Sequence, residues 1–392
     1  MTFSHLASRL GNIAPFHVME LAKMAAALER EGRHIIHMGI GEPDFTAAPL
    51  VIEAAAKAMA DGKMQYTSAT GLPALRAAIS AHYLTVFGLD IAPERIVVTA
   101  GASAALLLAC AALVEKGSEV LMPDPCYPCN RHFVAAFDGQ AKLIASGPAE
   151  RFQLSDLMVR EHWGAQTRGV LLASPSNPTG TSILHSELAK IIVTVRDKGG
   201  FSIVDEIYQG LSYDAEPFSA LSLGEDVIVI NSFSKYFSMT GWRLGWLVLP
   251  EALVPPIEKL AQNLFICPSS IAQHAALACF EKDSLALYEA RKEEFKRRRD
   301  YLAPELTALG FKVPVIPDGA FYVYADCSGL LKDGGDADSL VKDILRRVGV
   351  GMVSGLDFGD HTAAHYIRLS YATSMENLRE AVRRLGSYFG NS

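Results

Sequence analysis

The chain has 392 residues, 50% hydrophobic and 20% charged, with a formal net charge of −7. That length exceeds one compact core and implies two domains, and the composition excludes a disordered chain. The acidic balance gives no electrostatic reason to expect nucleic acid or an anionic membrane as partner.

No apolar run reaches membrane-spanning length; the longest, around 104–114, is about a third short of what a bilayer needs. The first residues, MTFSHLASRLGNIAPF, lack a continuous apolar core and a small-residue cleavage site, so no secretory signal is expected and the cytoplasm is the expected compartment. Six cysteines in a chain this long do not imply a disulfide framework. Cys126 and Cys129 form a C-x-x-C, but no second pair completes a zinc site. Pro128 between them argues against the helix opening that thiol redox chemistry uses.

In chain order, 13–30 is apolar at helical spacing (Met19, Leu21, Met24, Leu28), and Gly32 ends the pattern. A short apolar stretch, 35–40, runs into Gly41-Glu-Pro-Asp-Phe45, a turn whose glycine also lets backbone approach a ligand. Helices are predicted over 47–60 and 73–87, around a turn-rich segment at 65–73. From 96 onward, short β-branched runs (96–99, 119–122, 141–144, 169–173, 201–204, 227–230, 244–249) alternate with helical candidates, notably 103–116 and 185–198. The alternation predicts an α/β fold with a mainly parallel, seven-stranded sheet covered by helices. A helix rich in Glu, Lys and Arg over 285–309 leads to a different texture, with strands at 321–325 and 367–371 and helices at 338–348 and 375–389. The expected organisation is a large domain, 48–284, and a smaller α/β domain formed by the two chain ends, 1–47 and 285–392.

In such sheets ligands collect at the carboxyl ends of the strands, so the residues after each run carry the information. After 96–99 comes Gly101-Ala102-Ser103 opening a helix, an anion site or an ordinary cap. After 119–122 comes Pro-Asp-Pro-Cys126-Tyr127-Pro, where Tyr127 offers a face to a flat ring or simply packs. After 169–173 comes Ser174-Pro-Ser-Asn177-Pro-Thr-Gly, whose prolines hold the Asn177 amide rigidly. After 201–204 comes Asp205-Glu206-Ile-Tyr208; a carboxylate ending a buried strand needs a partner, such as a protonated ring nitrogen, or else caps a helix. After 227–230 comes SFSKYFSMTGWRLG, 232–245. Lys235 there can form a Schiff base with a carbonyl cofactor, while Ser232 and Arg243 can grip a phosphate. Arg368, in an apolar strand, needs a planar anion, met by a substrate carboxylate or by a structural salt bridge. His361 and His365 are four apart in a loop-like stretch and read as bystanders.

GEPDF, YTSATGLPALR, the Gly-Ala-Ser helix start, SPSNPTG, DEIY, the lysine stretch and Ile-Arg-Leu-Ser, in this order and at these separations, resemble the class I/II aminotransferases. These are fold type I enzymes of the aspartate aminotransferase superfamily that use pyridoxal 5′-phosphate (PLP). The resemblance spans nearly the whole chain. It implies that Lys235 holds PLP as an internal aldimine and, once displaced, acts as general base in a ping-pong transfer from an L-amino acid to a 2-oxo acid. It implies that Asp205 keeps the ring nitrogen protonated, that Asn177 and Tyr208 bond the phenolic oxygen and that Tyr127 stacks on the ring. Ala102, Ser103, Ser232 and Arg243 would hold the phosphate. Tyr66 would reach the neighbouring subunit's cofactor in a homodimer with shared sites. Arg368, with Asn177 and the Gly41 backbone, would fix the substrate carboxylate.

Two other functions stand beside this. A PLP-dependent C–S (β) lyase would share nearly every cofactor residue. A non-catalytic PLP-binding regulatory module would carry an N-terminal DNA-binding domain, whereas here the family pattern begins within the first few dozen residues. Relatives that accept dicarboxylates use a second cation; Arg131 is near the site in sequence but reads as a solvated loop arginine. Phe16, His17 and Val18 fall where the family's N-terminal segment covers the pocket, which favours apolar or aromatic substrate side chains.

Overall fold

The computed structural model describes residues 6–13, 17–214, 216–332 and 334–390. The chain opens with α1 (His17–Arg30), β1 (Ile36–His37), α2 (Pro49–Ala60) and α3 (Pro73–Phe87). It continues through β2 (Ile96–Thr99), α4 (Ala102–Leu113), β3 (Glu119–Asp124), α5 (Pro128–Ala135), β4 (Gln140–Ala145), α6 (Asp156–His162), β5 (Thr167–Ala173) and α7 (His185–Asp197). Then come β6 (Phe201–Asp205), β7 (Ile228–Ser232), β8 (Gly245–Val248), α8 (Val254–Leu264), α9 (Ser270–Ala276) and the 27-residue α10 (Lys282–Ala308). Last are β9 (Tyr322–Asp326), α11 (Ala337–Val348), β10 (Val350–Gly351), β11 (Val353–Ser354), β12 (Tyr366–Ser370) and α12 (Met375–Gly390).

The main sheet has seven strands in the order β2-β8-β7-β6-β5-β3-β4. All neighbours pair parallel except β8, which runs against both β2 and β7. The cause is the connection. Parallel strands need a crossover, whereas β7 and β8 are joined directly by the loop that carries Lys235 and Arg243. Alternation along the strands feeds both faces. Val97, Leu171, Ile203 and Ile228 pack in one cluster with Ile257 and Ala261 of α8. Val98, Leu172, Val204 and Val229 pack in another with Leu188, Ile191, Ile192 and Val195 of α7. Each large apolar side chain so buried contributes about 1.5–3 kcal/mol.

The C-terminal part forms a three-stranded antiparallel sheet, β11-β12-β9, and β1 pairs parallel with β10, which ties the N-terminal segment to this end of the chain. Among the described residues, no helix is long and apolar enough to cross a membrane.

The sequence reading passes over α5, α6, α8 and α9, and one of these omissions needs correcting on physical grounds. Pro128 was expected to bar a helix between Cys126 and Cys129, yet it occupies the first turn of α5. The amide hydrogen that proline lacks has no partner at that position in any helix. What argues against thiol chemistry is instead burial, which pushes the Cys126 thiol up to about 12.

Candidate active site

The chemistry-bearing loops leave one edge of the sheet. In register across it, Thr99 pairs with Gly245 and Gly245 with Ser232, while Ala173 pairs with Asp205 and Asp205 with Ile230. The carboxyl ends of β2, β5, β6 and β7 and the amino end of β8 therefore coincide, and residues far apart in sequence converge. A cavity of about 430 Å³ opens there, and Gly41, Tyr127, Asn177, Tyr208, Lys235 and Arg368 line it.

Lys235 is half-buried, and its Nζ donates to the Gly41 carbonyl at 2.5 Å. Burial lowers its pKa to about 8, with Arg368 and Arg243 acting the same way and Glu42 and Asp205 opposing. A lysine so placed has an appreciable neutral fraction near pH 7.5, the form that attacks a carbonyl. Asp205 ends β6, is buried, and accepts the Ile207 amide at 3.0 Å. Burial raises its pKa to about 7, against the Ile207 hydrogen bond and the Lys235 charge. This carboxylate lacks enough positive charge around it to stay ionised comfortably.

Arg368 is buried on β12 among neutral partners. Nη1 donates to Asn177 Oδ1 at 2.8 Å and Nη2 to the Gly39 carbonyl at 2.6 Å. The guanidinium lies 4.6 Å from the Tyr322 ring centroid and 4.8 Å from that of Phe358, and its Nε is buried without a hydrogen bond. The cation is thus held by two rings and by two acceptors, with donors left for an anion.

The remaining expected residues, Ala102, Ser103, Ser232, Arg243 and Tyr66, do not line the cavity. Ala102 begins α4, which no side chain caps. Gly101 before it has φ +82°, and a Cβ there would come within 2.7 Å of Arg243 Nη2, so the guanidinium lies against the helix start. Arg243 itself is left-handed (φ 54°, ψ 58°), a strained state for a non-glycine residue. Such residues cluster where the surroundings over-determine them, as in ligand sites. Ser103 is exposed; Ser232 is buried, with Oγ 3.0 Å from the Leu244 carbonyl and 2.9 Å from Ser234 Oγ. Tyr66 is 84% exposed.

The two residues weighed for substrate side chains fare differently. Arg131 is neither in a loop nor free in solvent: it lies in α5, and Nη2 donates to the Asp357 carbonyl at 2.8 Å. Val18 lines the cavity, while Phe16 and the His17 side chain lie outside the described residues. Among the described residues no cluster fit to hold a metal occurs.

Residues 33–385 match the family described as aminotransferase class I and II. The chain belongs to the class I and II aminotransferases. It is 36% identical over 378 residues to the valine–pyruvate aminotransferase of Mycobacterium tuberculosis, covering 96% of each chain. It is 33% identical over 391 residues to the aspartate/prephenate aminotransferase of Thermus thermophilus, covering 99% of each. A crystal structure of an aminotransferase from Mycobacterium tuberculosis superposes with a TM-score of 0.95 at 35% identity, covering both chains fully. The protein is an aminotransferase, of a family that generally works with PLP.

Two aromatic residues of the candidate site have no signal in the sequence, Tyr322 and Phe358, whose rings lie within 5 Å of the Arg368 guanidinium. Tyr322 opens a strand that was recognised, but strand pattern says nothing of what a ring beside an arginine does. Phe358 sits in an irregular stretch between β11 and β12, where no periodicity gives a signal.

Proposed function

We propose that this aminotransferase moves an amino group from an L-amino acid to a 2-oxo acid in two half-reactions, with PLP held covalently on Lys235. The observation that carries the reading is a single cavity bordered by a lysine of lowered pKa and by a buried arginine whose hydrogen-bond partners are both neutral. The residues fit the cofactor. The uncapped start of α4, the hydroxyl of Ser232 and the strained Arg243 suit a phosphate. Asp205 suits a protonated ring nitrogen, which would supply the positive charge its buried carboxylate lacks. Asn177 has its oxygen committed to Arg368 and so offers N–H to the phenolic oxygen, alongside the Tyr208 hydroxyl. Tyr127 suits a stacking face.

When bound, the cofactor supplies an electron sink that no side chain provides. The chain supplies the rest. Arg368 orients the substrate through its carboxylate, and Lys235 Nζ takes the Cα proton as general base. The amino group leaves the donor, which departs as a 2-oxo acid, and a second 2-oxo acid receives it. Initial rates against both substrates should give parallel double-reciprocal lines. An enzyme that released oxo acid catalytically without an acceptor would be a lyase, and this reading would fall.

Val18, Met19, Ala22 and Ile40 form an apolar stretch of the cavity wall. That wall supports a donor with an uncharged side chain, since burying a second carboxylate there without a partner is costly. Uncharged aliphatic or aromatic donors are expected to exceed aspartate in kcat/KM by about tenfold or more, the scale set by one well-fitted apolar group. Equal or better use of aspartate would refute the assignment.

We also propose a homodimer in which Tyr66, exposed on the single chain, reaches the phosphate of the neighbouring site. Tyr66→Phe is expected to leave the dimer mass by light scattering unchanged and to raise the cofactor Kd about tenfold, the weight of one charge-assisted hydrogen bond. A monomer in solution would count against shared sites. The proposed division is a large domain, 48–284, and a small one, 1–47 with 285–392.

Asp205 gives a test independent of turnover. Its folded pKa of about 7 lies above the ordinary 3.8, so its favourable contribution is present below pH 3.8 and lost as pH rises through 7. Stripped of cofactor, Asp205→Asn is therefore expected to melt above wild type at pH 8 and to converge on it near pH 4. With PLP restored, the order at pH 8 should reverse, because the amide cannot hold the ring-nitrogen proton. No reversal would mean that Asp205 does not meet the cofactor.

A further inference from the structure

Tyr208 and Tyr322 place their hydroxyls 2.7 Å apart, with the rings edge to face at 5.7 Å. Only Tyr208 lines the cavity; Tyr322 is wholly buried beyond it. Its hydroxyl also leaves no room for a side chain at position 41. A Cβ on Gly41 would come within 2.7 Å of it, and Gly41 is the residue whose carbonyl receives Lys235 Nζ. Three proposed working parts therefore meet at one phenol: the lysine's resting contact, the tyrosine beside the cofactor, and Arg368 over the ring face.

Each phenol has one proton, so direction matters. If Tyr208 donates to Tyr322, its proton is turned away from the cavity. If Tyr322 donates, the Tyr208 proton is free to point inward. The geometry favours the second: Arg368 acts on both phenols, but it sits 4.6 Å over the Tyr322 ring and draws electron density from that phenol, which makes Tyr322 the better donor. Burial raises the pKa of both tyrosines, so both keep their protons; Arg368 opposes the rise at both, while the bond between them adds to it at Tyr208 and opposes it at Tyr322.

We propose that Tyr322 is a positioning residue whose hydroxyl donates to Tyr208 and thereby aims the Tyr208 proton at the cofactor's phenolic oxygen. The inference rests on the cofactor reading given above. A chain of two donors ending on an anionic oxygen is stronger than one donor alone, because each bond polarises the next. The bond withdraws density from the ring and lowers the basicity of the nitrogen that joins Lys235 to the cofactor. The charged groups facing Lys235 are Glu42, Asp205, Arg368 and Arg243, and Tyr322→Phe replaces none of them.

The test is a pH titration of the visible absorbance of the PLP-loaded enzyme, for wild type, Tyr322→Phe, Tyr208→Phe and the double variant. Tyr322→Phe keeps the ring, hence the stacking on Arg368, so the donor KM should not move. Its titration midpoint is expected to rise by roughly half a pH unit, the cooperative share of one charge-assisted hydrogen bond. In the Tyr208→Phe background, which alone raises the midpoint further, removing the Tyr322 hydroxyl should add nothing. An unchanged or lowered midpoint in Tyr322→Phe overturns the proposal, and so does an equal shift in both backgrounds. A wild-type enzyme with no pH-dependent visible band sinks the cofactor reading, and this inference with it.

Discussion

Lys235→Ala is expected to abolish transamination and, with it, the visible absorbance that a cofactor aldehyde acquires when joined to a lysine. A general base alone contributes about 10²–10⁴ in rate, and the covalent link adds to that, so turnover should drop by at least about 10⁴-fold. Loss of folding is not the expected cause. The folded pKa of Lys235, about 8, lies below the ordinary 10.5, so its stabilising contribution is present above pH 10.5 and lost as pH falls through 8. At pH 7 the stripped protein therefore holds this lysine at a cost, and Lys235→Ala without cofactor should melt no lower than wild type. The Gly41 carbonyl loses its donor in exchange, but Gly41 borders the cavity, where water can replace the amine. Small primary amines added to the loaded variant should restore part of the activity, since they supply the missing base in place. Persistence of the lysine-type band in Lys235→Ala would place the cofactor on another residue and end the assignment.

Much of this site was legible because strand ends in an α/β sheet are where ligands gather, and the strands themselves were plain. Runs such as 96–99 and 201–204 are β-branched and bounded by turn residues, and each ends within two residues of the strand observed. Asp205 stood out for the same reason: a carboxylate at the end of a buried run has an energetic cost that must be met by something. What the pattern could not carry were contacts made between distant segments. The pairing of β1 with β10 rests on two residues from each strand, too short for any periodicity. The hydroxyl pair of Tyr208 and Tyr322 joins residues 114 positions apart. Arg131 shows the opposite error. Its place just past Tyr127 reads as a solvated loop, whereas the proline at position 128 opens the first turn of the helix that anchors this arginine to the Asp357 carbonyl.

Arg368→Ala is expected to separate substrate binding from cofactor binding. The guanidinium has five N–H groups; two donate to Asn177 and Gly39, and the Nε hydrogen is buried with no acceptor. A planar carboxylate arriving at the remaining donors forms a desolvated pair, and truncating one member of such a pair costs about 3–5 kcal/mol, or roughly 10²- to 10³-fold or more in kcat/KM. Most of that should fall on KM, with the visible band of the loaded enzyme retained. The substitution also strips Asn177 Oδ1 and the Gly39 carbonyl of a donor and opens a gap between Tyr322 and Phe358. Some loss of melting temperature is therefore expected regardless of function. Two further measurements isolate the chemical role. Arg368→Lys keeps the charge but not the fork, and should recover only part of kcat/KM. An amine donor without a carboxylate should be used slowly and about equally by wild type and Arg368→Ala, because neither can engage it through this residue. If that donor suffers the same loss as an amino acid, or if Arg368→Ala releases the cofactor, then Arg368 serves the cofactor or the fold rather than the substrate carboxylate.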